Sequence, residues 1–359
     1  MRITSFMMFN QFISSLQGTQ EEFAKLNEQL SSGKKISKPS DDIVGATRAM
    51  DYKVSINAIE QYNRNIDGAN IQLTYTGKVM GSVNDTMVSL HQLTAVGSNT
   101  QSLETRELYS QQAAQYRDYL LSLSNTQLGN KYIFSGYQTN QKAFVYNSVT
   151  GQYDYQGDNG EIKTLIDNGI QTPINIQGSK AFSTTLSEPL PTQLSDGTAV
   201  NYTQSIDPDT GINTVTVEIG NAGDLNHDTF TFSNVMDMAN IVSYAWQYKN
   251  IDGSDLNPDS DVSAEMAMHR IDALANPLDD ARVQSLSVQS EVGTRQVLLN
   301  DQTTRLSGSK VDLQNALSTT EDADMDQTAT EIIKTQVALQ ALMSSASKIM
   351  SQSLIDFLK

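Results

Sequence analysis

The residues that could do chemistry are few and scattered in this chain. Its three histidines, His91, His227 and His269, stand in separate segments, none with a second histidine at ligand spacing. Cysteine is absent, which excludes disulfides, thiolate metal sites and thiol nucleophiles. We therefore expect each histidine to be a hydrogen-bonded or solvated side chain, and we predict no cofactor.

One acidic run has the spacing with which a calcium-binding loop begins. Asp322, Asp324 and Asp326 follow a DxDxD pattern. Such a loop also needs a sharp-turn glycine and a bidentate glutamate further on, where Gln327 and Ile333 stand. Capping of the next helix is the better interpretation, and we predict no metal site.

Catalytic signatures do not stand out either. The middle segment, about 132–261, has no Ser-His-Asp order, phosphate loop or HExxH motif, and its acidic residues lie mostly in turns beside Gly or Pro. We predict that the protein is not an enzyme. Two hypotheses from other classes stay open: a secreted wall-active enzyme with carboxylates in residues 132–261, and a type III translocator with membrane-entering helices.

The charge is strongly negative and unevenly distributed. The formal net charge is -17, which disfavours nucleic acid and anionic membranes as partners. Residues 1–38 carry +2 and residues 327–359 carry +1, so the middle carries -20. Copies of the chain would therefore repel through their middles, while their ends could approach at little electrostatic cost.

Both ends have the apolar spacing of coiled-coil helices, with steps of three and four residues. We predict that these stripes form an assembly interface. Its residues are Phe6, Phe9, Phe12, Ile13, Leu16, Phe23, Leu26 and Leu30 at the N-terminal end, and Leu339, Leu342, Met343, Ala346, Ile349, Met350, Leu354 and Phe357 at the C-terminal end.

The polar faces of these end helices lack the usual charges. Residues 3–20 contain no charged side chain, and residues 335–355 contain only Lys348. A helix whose outer face meets water normally carries Glu and Lys there. Self-assembly explains this composition, whereas pairing of the two helices within one chain, the alternative, explains only the apolar stripes.

A regular helical rod is predicted between the ends. Ile59, Ile66, Leu73, Met80 and Met87 recur every seven residues as one seam. Asn at several partner positions fixes register at some cost in stability, and the glycine at position 77 permits close approach. A further helix is expected at 104–127, with its return partner at 278–318, after a break at Asn276-Pro277.

The stretch LSSGKKISKPSDD reads as a hinge between the first helix and the rod. Gly33 can end the first helix, the lysines after it suit that helix's negative end, and Pro39 prevents continuation. Ser40 or Asp41 then caps the next helix. Residues 319–326 are the matching interruption before the last helix.

The middle of the chain changes to β-type periodicity. Tyr153 and Tyr155 alternate before the turn GDNG at 157–160, and alternating valines follow DPDTG at 207–211, both hairpin-like. A short helix is expected at 235–250. We predict an α+β fold in which an inserted, mainly β domain interrupts a long helical coiled-coil rod. Its parts are 1–38 (N-terminal assembly helix and hinge), 39–131 (N-terminal rod), 132–261 (β-rich outer domain), 262–321 (C-terminal rod) and 322–359 (C-terminal assembly helix).

The helical portion of the sequence resembles the bacterial flagellin family. The resemblance is carried by LNEQLSSGKKISKPSDDIVGATRAM (26–50), NKYIFSGYQT (130–139), DADMDQTATEIIKTQVALQALMSSASKIM (322–350) and LIDFLK (354–359). The opening MRITSFMMFNQFISSLQ is more similar to family members that join the hook to the filament than to filament flagellins.

This resemblance implies a structural role in the bacterial flagellum. It implies secretion through the flagellar type III channel with an export chaperone, and a ring of copies between hook and filament. The implied partners are copies of the chain itself, flagellin on the filament side, and another hook-associated protein on the hook side. A filament flagellin is the nearest alternative.

Overall fold

The computed structural model describes residues 2–96, 102–187, 190–207, 212–221, 223–224, 226–257 and 260–357, without the side chains of 2–6, 8, 9, 260 and 348–357. Its helices are α1 (Arg2–Ser32), α2 (Ile43–Ala95), α3 (Leu103–Ser124), α4 (Gly178–Phe182), α5 (Val235–Ala245), α6 (Ser260–Ala273), α7 (Ala275–Glu321) and α8 (Met325–Phe357). The chain forms two compact units, one of residues 1–61 with 304–359 and one of residues 62–303. The predicted α+β class is confirmed.

The strands form small antiparallel sheets, all within the second unit. They are β1 (Gln127–Leu128), β2 (Lys131–Tyr132), β3 (Phe144–Asn147), β4 (Gln152–Tyr155), β5 (Lys163–Asp167), β6 (Ile170–Pro173), β7 (Val200–Ile206), β8 (Asn213–Ile219) and β9 (Asp228–Phe232). Three are two-stranded hairpins, β1-β2, β3-β4 and β5-β6, and the fourth has the order β7-β8-β9. Sheets this small need helices to cover them.

The seven-residue seam of α2 is confirmed. Ile59, Ile66, Leu73, Met80 and Met87 are all buried, because a heptad repeat keeps one face of the helix turned to its partner. In the second unit that partner includes α7: a β-carbon added at position 77 would lie 3.5 Å from the Cγ1 atom of the valine at 292. This is an ordinary van der Waals distance, so the packing of α2 on α7 at this position does not require glycine.

Helix α3 has a different main partner from the one expected. It packs most extensively on α5, not on the 278–318 helix. Ser243 donates a hydrogen bond to the Ser110 carbonyl oxygen at 3.0 Å, Arg117 donates to the Asn240 side chain at 2.8 Å, and the Tyr109 ring centroid lies 5.0 Å from that of the single tryptophan. The short helix predicted at 235–250 is confirmed, but its apolar residues cover α3 as well as the sheets.

One of the two predicted hairpin turns is confirmed and one is wrong. Strands β7 and β8 pair across DPDTG, with Ile206 opposite Asn213, although residues 208–211 themselves lie outside the described part. The GDNG turn at 157–160 instead connects β4 to β5, which belong to different sheets. The reason is that β4 has already paired back on β3, whose turn the sequence analysis missed.

The GDNG segment stabilises the loop of the NKYIFSGYQT motif. The Asp158 carboxylate accepts hydrogen bonds from the backbone N–H groups of Tyr137 at 2.7 Å and Gly160 at 2.8 Å. Gly136, at φ +65°, lies so close to Asp158 that a β-carbon there would be 2.1 Å from a carboxylate oxygen. Only glycine fits this position.

Side-chain contacts attach the β-rich segment to α2 and α7 within the second unit. Asn65 of α2 donates to the Leu165 carbonyl oxygen at 2.8 Å, and Arg295 of α7 donates to the Asn175 carbonyl oxygen at 2.8 Å. These contacts cross the boundaries predicted at 131/132 and 261/262. The five-part division of the chain stays a prediction.

Helix α6 is held to the three-stranded sheet by a buried ion pair. Arg270 of α6 forms hydrogen bonds to both carboxylate oxygens of Asp228 in β9, and both side chains are only 6% exposed. The helix ends at Ala273, and α7 begins at Ala275. The predicted break therefore falls earlier, and Pro277 sits in the first turn of α7, where its missing N–H costs nothing.

Candidate assembly interface and linker junction

The two end helices pack against each other in the first unit. Helices α1 and α8 are in contact, and they are antiparallel, since the end of α1 and the start of α8 meet at Gly33 and Ala323. Intrachain pairing, the alternative to self-assembly, therefore occurs in this structure. The consequence for assembly depends on how much apolar surface the pairing leaves uncovered.

The predicted stripe is only partly buried by this pairing. Of its residues with described side chains, Leu26 is buried, Met343 is 50% exposed, and the others are half-buried: Phe12, Ile13, Leu16, Phe23, Leu30, Leu339, Leu342 and Ala346. The side chains of Phe6, Phe9, Ile349, Met350, Leu354 and Phe357 lie outside the described part. Two helices alone therefore leave part of the stripe, Met343 above all, in contact with solvent.

A second apolar pair on α8 was missed by the sequence analysis. Ile333 and Val337 are 63% and 60% exposed, and they occupy one face because they are four residues apart. At 100° per residue they lie on roughly the opposite side of α8 from Leu342 and Ala346. The i,i+4 spacing of these two residues on the other face of α8 is the sequence signal that would have indicated them.

The two linkers beside the end helices meet in one junction. We define the linker junction as residues 33–42, between α1 and α2, with residues 322–324, between α7 and α8. The Glu321 carbonyl oxygen accepts from the backbone N–H groups of Lys35 at 2.7 Å and Ile36 at 3.3 Å. Ala323 N–H donates to the Gly33 carbonyl oxygen at 2.9 Å, so main-chain bonds connect the linkers in both directions.

The Glu321 side chain adds two charged contacts to this junction. Its carboxylate is 7% exposed and lies 2.6 Å from the Lys34 ammonium of the first linker and 2.6 Å from the Lys53 ammonium of α2. Burial opposes its ionisation, but the hydrogen bonds and charges of the two lysines outweigh burial and lower the pKa of Glu321. Both lysines also compensate the negative end of α7, which finishes at this residue.

The predicted hinge chemistry is partly confirmed. Gly33 ends α1 with φ +70°, a conformation that favours glycine. The prediction that Ser40 or Asp41 caps α2 is wrong. Asp42 does so, accepting from the Gly45 N–H at 3.0 Å. Asp41 instead accepts from the backbone N–H groups of residues 37 and 38 and so shapes the linker itself, which lowers its pKa.

The acidic run after α7 serves helix capping. Asp324 accepts hydrogen bonds from the N–H groups of Asp326 at 3.1 Å and Gln327 at 3.0 Å, which are orphan donors in the first turn of α8. Asp322 accepts from the Ser318 hydroxyl at 2.6 Å. Among the described residues, no group of three or more His, Asp and Glu is arranged to hold a metal ion.

Two of the three histidines contact carboxylates in the second unit. His269 is buried, and its Nε2 atom lies 2.7 Å from an Asp196 oxygen, while His227 Nε2 lies 3.2 Å from a Glu218 oxygen. His91 is half-buried on α2 and lines a cleft of about 540 Å³ together with His269 and Asp196. The predicted hydrogen-bonded state is confirmed for His227 and His269.

Across the described part of the chain, none of the helices combines the length and the apolar character needed to span a membrane. The end helices carry Ser, Thr, Asn and Gln opposite their apolar residues. Of their exposed apolar side chains, Met7, Val337 and Met343 lie in segments without charged residues, whereas Ile333 lies beside Lys334.

Two family profiles match the ends of this chain. Residues 3–139 match the bacterial flagellin N-terminal helical region, and residues 276–358 match the bacterial flagellin C-terminal helical region. Together these matches span well over half of the chain. They include α1, α8 and both linkers of the junction, and they leave out most of the β-rich segment.

Two curated relatives of this chain are hook-associated proteins. The chain is 28% identical over 193 residues to flagellar hook-associated protein 3 of Salmonella typhimurium, a match covering 53% of this chain and 60% of that protein. It is 25% identical to flagellar hook-associated protein 3 of Escherichia coli over the full length of both chains.

The crystal structure of the flagellar junction protein FlgL from Legionella pneumophila superposes with a TM-score of 0.52 at 18% identity, covering 77% of this chain and all of that one. At this identity the likeness shows a shared fold. The expected similarity to hook-associated members is confirmed by the two curated relatives. The family profiles that match both ends of the sequence and the shared fold lead to the same conclusion: the chain belongs to the bacterial flagellin family.

Proposed function

We propose that this protein is a structural adaptor of the bacterial flagellum, which joins hook to filament through contacts between the end helices of neighbouring copies. The observation that carries the proposal is the incomplete burial of the apolar stripe after α1 and α8 have paired. Leu342 and Phe12 stay half-buried and Met343 is 50% exposed, in helices that belong to the family-matched ends. Apolar side chains that stay partly in contact with solvent favour burial against another protein surface.

The absence of charge on these helices favours a second copy as the occupant. A chain of net charge -17 repels its copies at most surfaces, and this repulsion weakens where no charged side chain is present. Residues 3–20 and 335–347 are such regions. Interhelical contacts there would bury apolar side chains without desolvating ions, whose burial is costly.

The remaining partners and the location follow from the family. We infer secretion through the flagellar type III channel with the help of an export chaperone. At the junction of hook and filament, the copies would contact flagellin on one side and another hook-associated protein on the other. The similarity to hook-associated protein 3 and to the Legionella flagellar junction protein supports this position.

Truncation tests the proposal directly. Removing residues 1–30 or 335–359 should leave a soluble chain whose second unit stays folded by circular dichroism but which no longer supports motility in a strain lacking its own copy. Electron microscopy should show intact hooks and shed filaments. Truncated chains that still restored attached filaments would contradict the proposal.

Filament flagellin is the nearest alternative, and copy number separates the two. An adaptor should be scarce in purified filaments yet needed for their attachment, whereas a filament subunit should be the main component. Quantitative mass spectrometry of sheared filaments measures this ratio. A wall-active enzyme would instead hydrolyse peptidoglycan, and a translocator would release dye from liposomes.

A further inference from the structure

Glu321 is the one residue that ties the two linkers of the junction together through both its main chain and its side chain, within the part of the chain that the structure describes. Its carbonyl oxygen accepts from Lys35 and Ile36 of the first linker. Its carboxylate pairs with Lys34 in that linker and with Lys53 in α2. Glu321 is also the last residue of α7, so it joins the end of α7 to both α2 and the linker that follows α1.

The geometry of this contact leaves little room for the linker to move. Lys34 and Asp322 are paired as antiparallel bridge partners. Ile36 is 7% exposed and packs over Gly45 of α2, where an added β-carbon would lie 2.5 Å from its Cδ1 atom. The first linker is therefore pressed against α2 on one side and bonded to the end of α7 on the other.

We propose that Glu321 is a positioning residue, which fixes the direction in which the α1-α8 pair leaves α2 and α7 within the first unit. The inference rests on the proposed function, because a ring of copies requires every α1-α8 pair to meet its neighbours at the same angle. Without the two ion pairs, the end helices keep their own contacts but leave the junction over a range of angles.

The substitution Glu321→Gln isolates this effect. Glutamine keeps the size of the side chain and the main-chain carbonyl oxygen. It removes the negative charge that Lys34 and Lys53 contact. The matched control is Lys310→Met combined with Glu60→Gln, since this pair also connects α7 to α2, with an Nζ–Oε1 distance of 2.8 Å, but touches neither linker. A change common to both variants would reflect general weakening of α2-α7 packing.

Hydrogen exchange by mass spectrometry on the full chain measures the junction. In the parent, the amides of Lys35, Ile36 and Ala323 should be protected by their bonds to Glu321 and Gly33. In Glu321→Gln they should exchange roughly 10- to 100-fold faster, the factor expected for losing charge-assisted hydrogen bonds. The control should match the parent, and the helical circular dichroism signal should be unchanged in all three.

Motility in a strain lacking its own copy supplies the second readout. Glu321→Gln should reduce attached filaments, and adding Lys34→Cys with Asp322→Cys should restore them under oxidising conditions. The two positions are bridge partners at a spacing suited to a disulfide, and the chain has no other cysteine to compete.

Several results would overturn the inference. Unprotected linker amides in the parent, unchanged exchange in Glu321→Gln, or equal acceleration in the control would each do so. Loss of helicity would show a folding role in place of a positioning role. Fast exchange together with full motility in Glu321→Gln would reject the positioning role and leave the adaptor proposal unaffected. If the end truncations did not affect filament attachment, the adaptor proposal itself would be rejected.

Discussion

Replacing Met343 by aspartate separates the stability of the single chain from the stability of the assembly. Met343 is 50% exposed on α8, so the free chain loses little packing, and we expect its free energy of unfolding to change by about 1 kcal/mol or less. If a neighbouring copy covers the exposed half, the assembly loses about 1 kcal/mol of apolar burial, taken as half the value for a fully buried methionine. Burying the new, unpaired carboxylate costs more than the roughly 2 kcal/mol of an unpaired neutral polar group.

Together these effects weaken each contact between copies by more than about 3 kcal/mol, which is over a hundredfold in an equilibrium constant. The matched control is Val297→Asp, because Val297 is 60% exposed on α7, outside the end helices. Urea unfolding of the purified chains measures the first effect. Counting attached filaments in a strain lacking its own copy measures the second. Normal attachment with Met343→Asp, or an equal loss with Val297→Asp, would refute the reasoning.

Three further predictions concern the interior and the junction. Asp228→Ala should lower the free energy of unfolding, measured in urea titrations, by about 3–5 kcal/mol, because it leaves the charge of the 6%-exposed Arg270 unpaired. Replacing Asp228 and Arg270 together by apolar residues should recover much of that loss. Gly77→Ala should be neutral or should stabilise the fold by up to about 1 kcal/mol, since the added β-carbon would lie at an ordinary 3.5 Å from Val292. Gly77→Leu should instead cost about 1–3 kcal/mol, because the larger side chain overpacks the contact. Thermal unfolding distinguishes the two variants. Folding lowers the pKa of Glu321, so the stability that its ionised carboxylate contributes is fully present above the unfolded pKa of about 4.5 and is lost as the pH falls through the folded pKa. Glu321→Gln should therefore flatten the fall of the free energy of unfolding between about pH 5 and 2. An unchanged fall would contradict this.

The helical elements could be predicted because their signals are local. The heptad of α2 needs only the spacing of apolar residues along one helix, and all five seam residues from Ile59 to Met87 are buried as expected. Helix ends were less accurate. The cap of α2 is Asp42, because Asp41 is used by the linker backbone, and competition between two adjacent carboxylates cannot be decided from their types alone.

The β-rich segment was predicted in kind but not in pairing. Alternation marked the strands around Val215 and Tyr153, but it does not say which strand a given strand pairs with. The position of α5 on α3 was missed for a related reason. A short helix buried on nearly all sides shows no single apolar stripe, and its partner lies more than a hundred residues earlier in the chain.

The assembly stripe illustrates what burial adds to spacing. The sequence placed Leu342 and Met343 in one interface, and the structure separates them, with Leu342 half-buried and Met343 exposed. The structure also reveals Ile333 and Val337 as a second exposed apolar pair, on another face of α8. Which of these residues meet another copy stays a prediction that the Met343 variant tests.

By itself, the sequence determined the long end helices, the uncharged character of their polar faces, the α2 seam and the family, since each depends on composition or on spacing within one segment. Only the tertiary structure decided that Gly33 and Ala323 lie side by side and that Glu321 faces Lys34 and Lys53. These contacts join residues almost three hundred positions apart. Bringing together residues so distant in sequence depends on the packing of the intervening chain, which no local sequence pattern records.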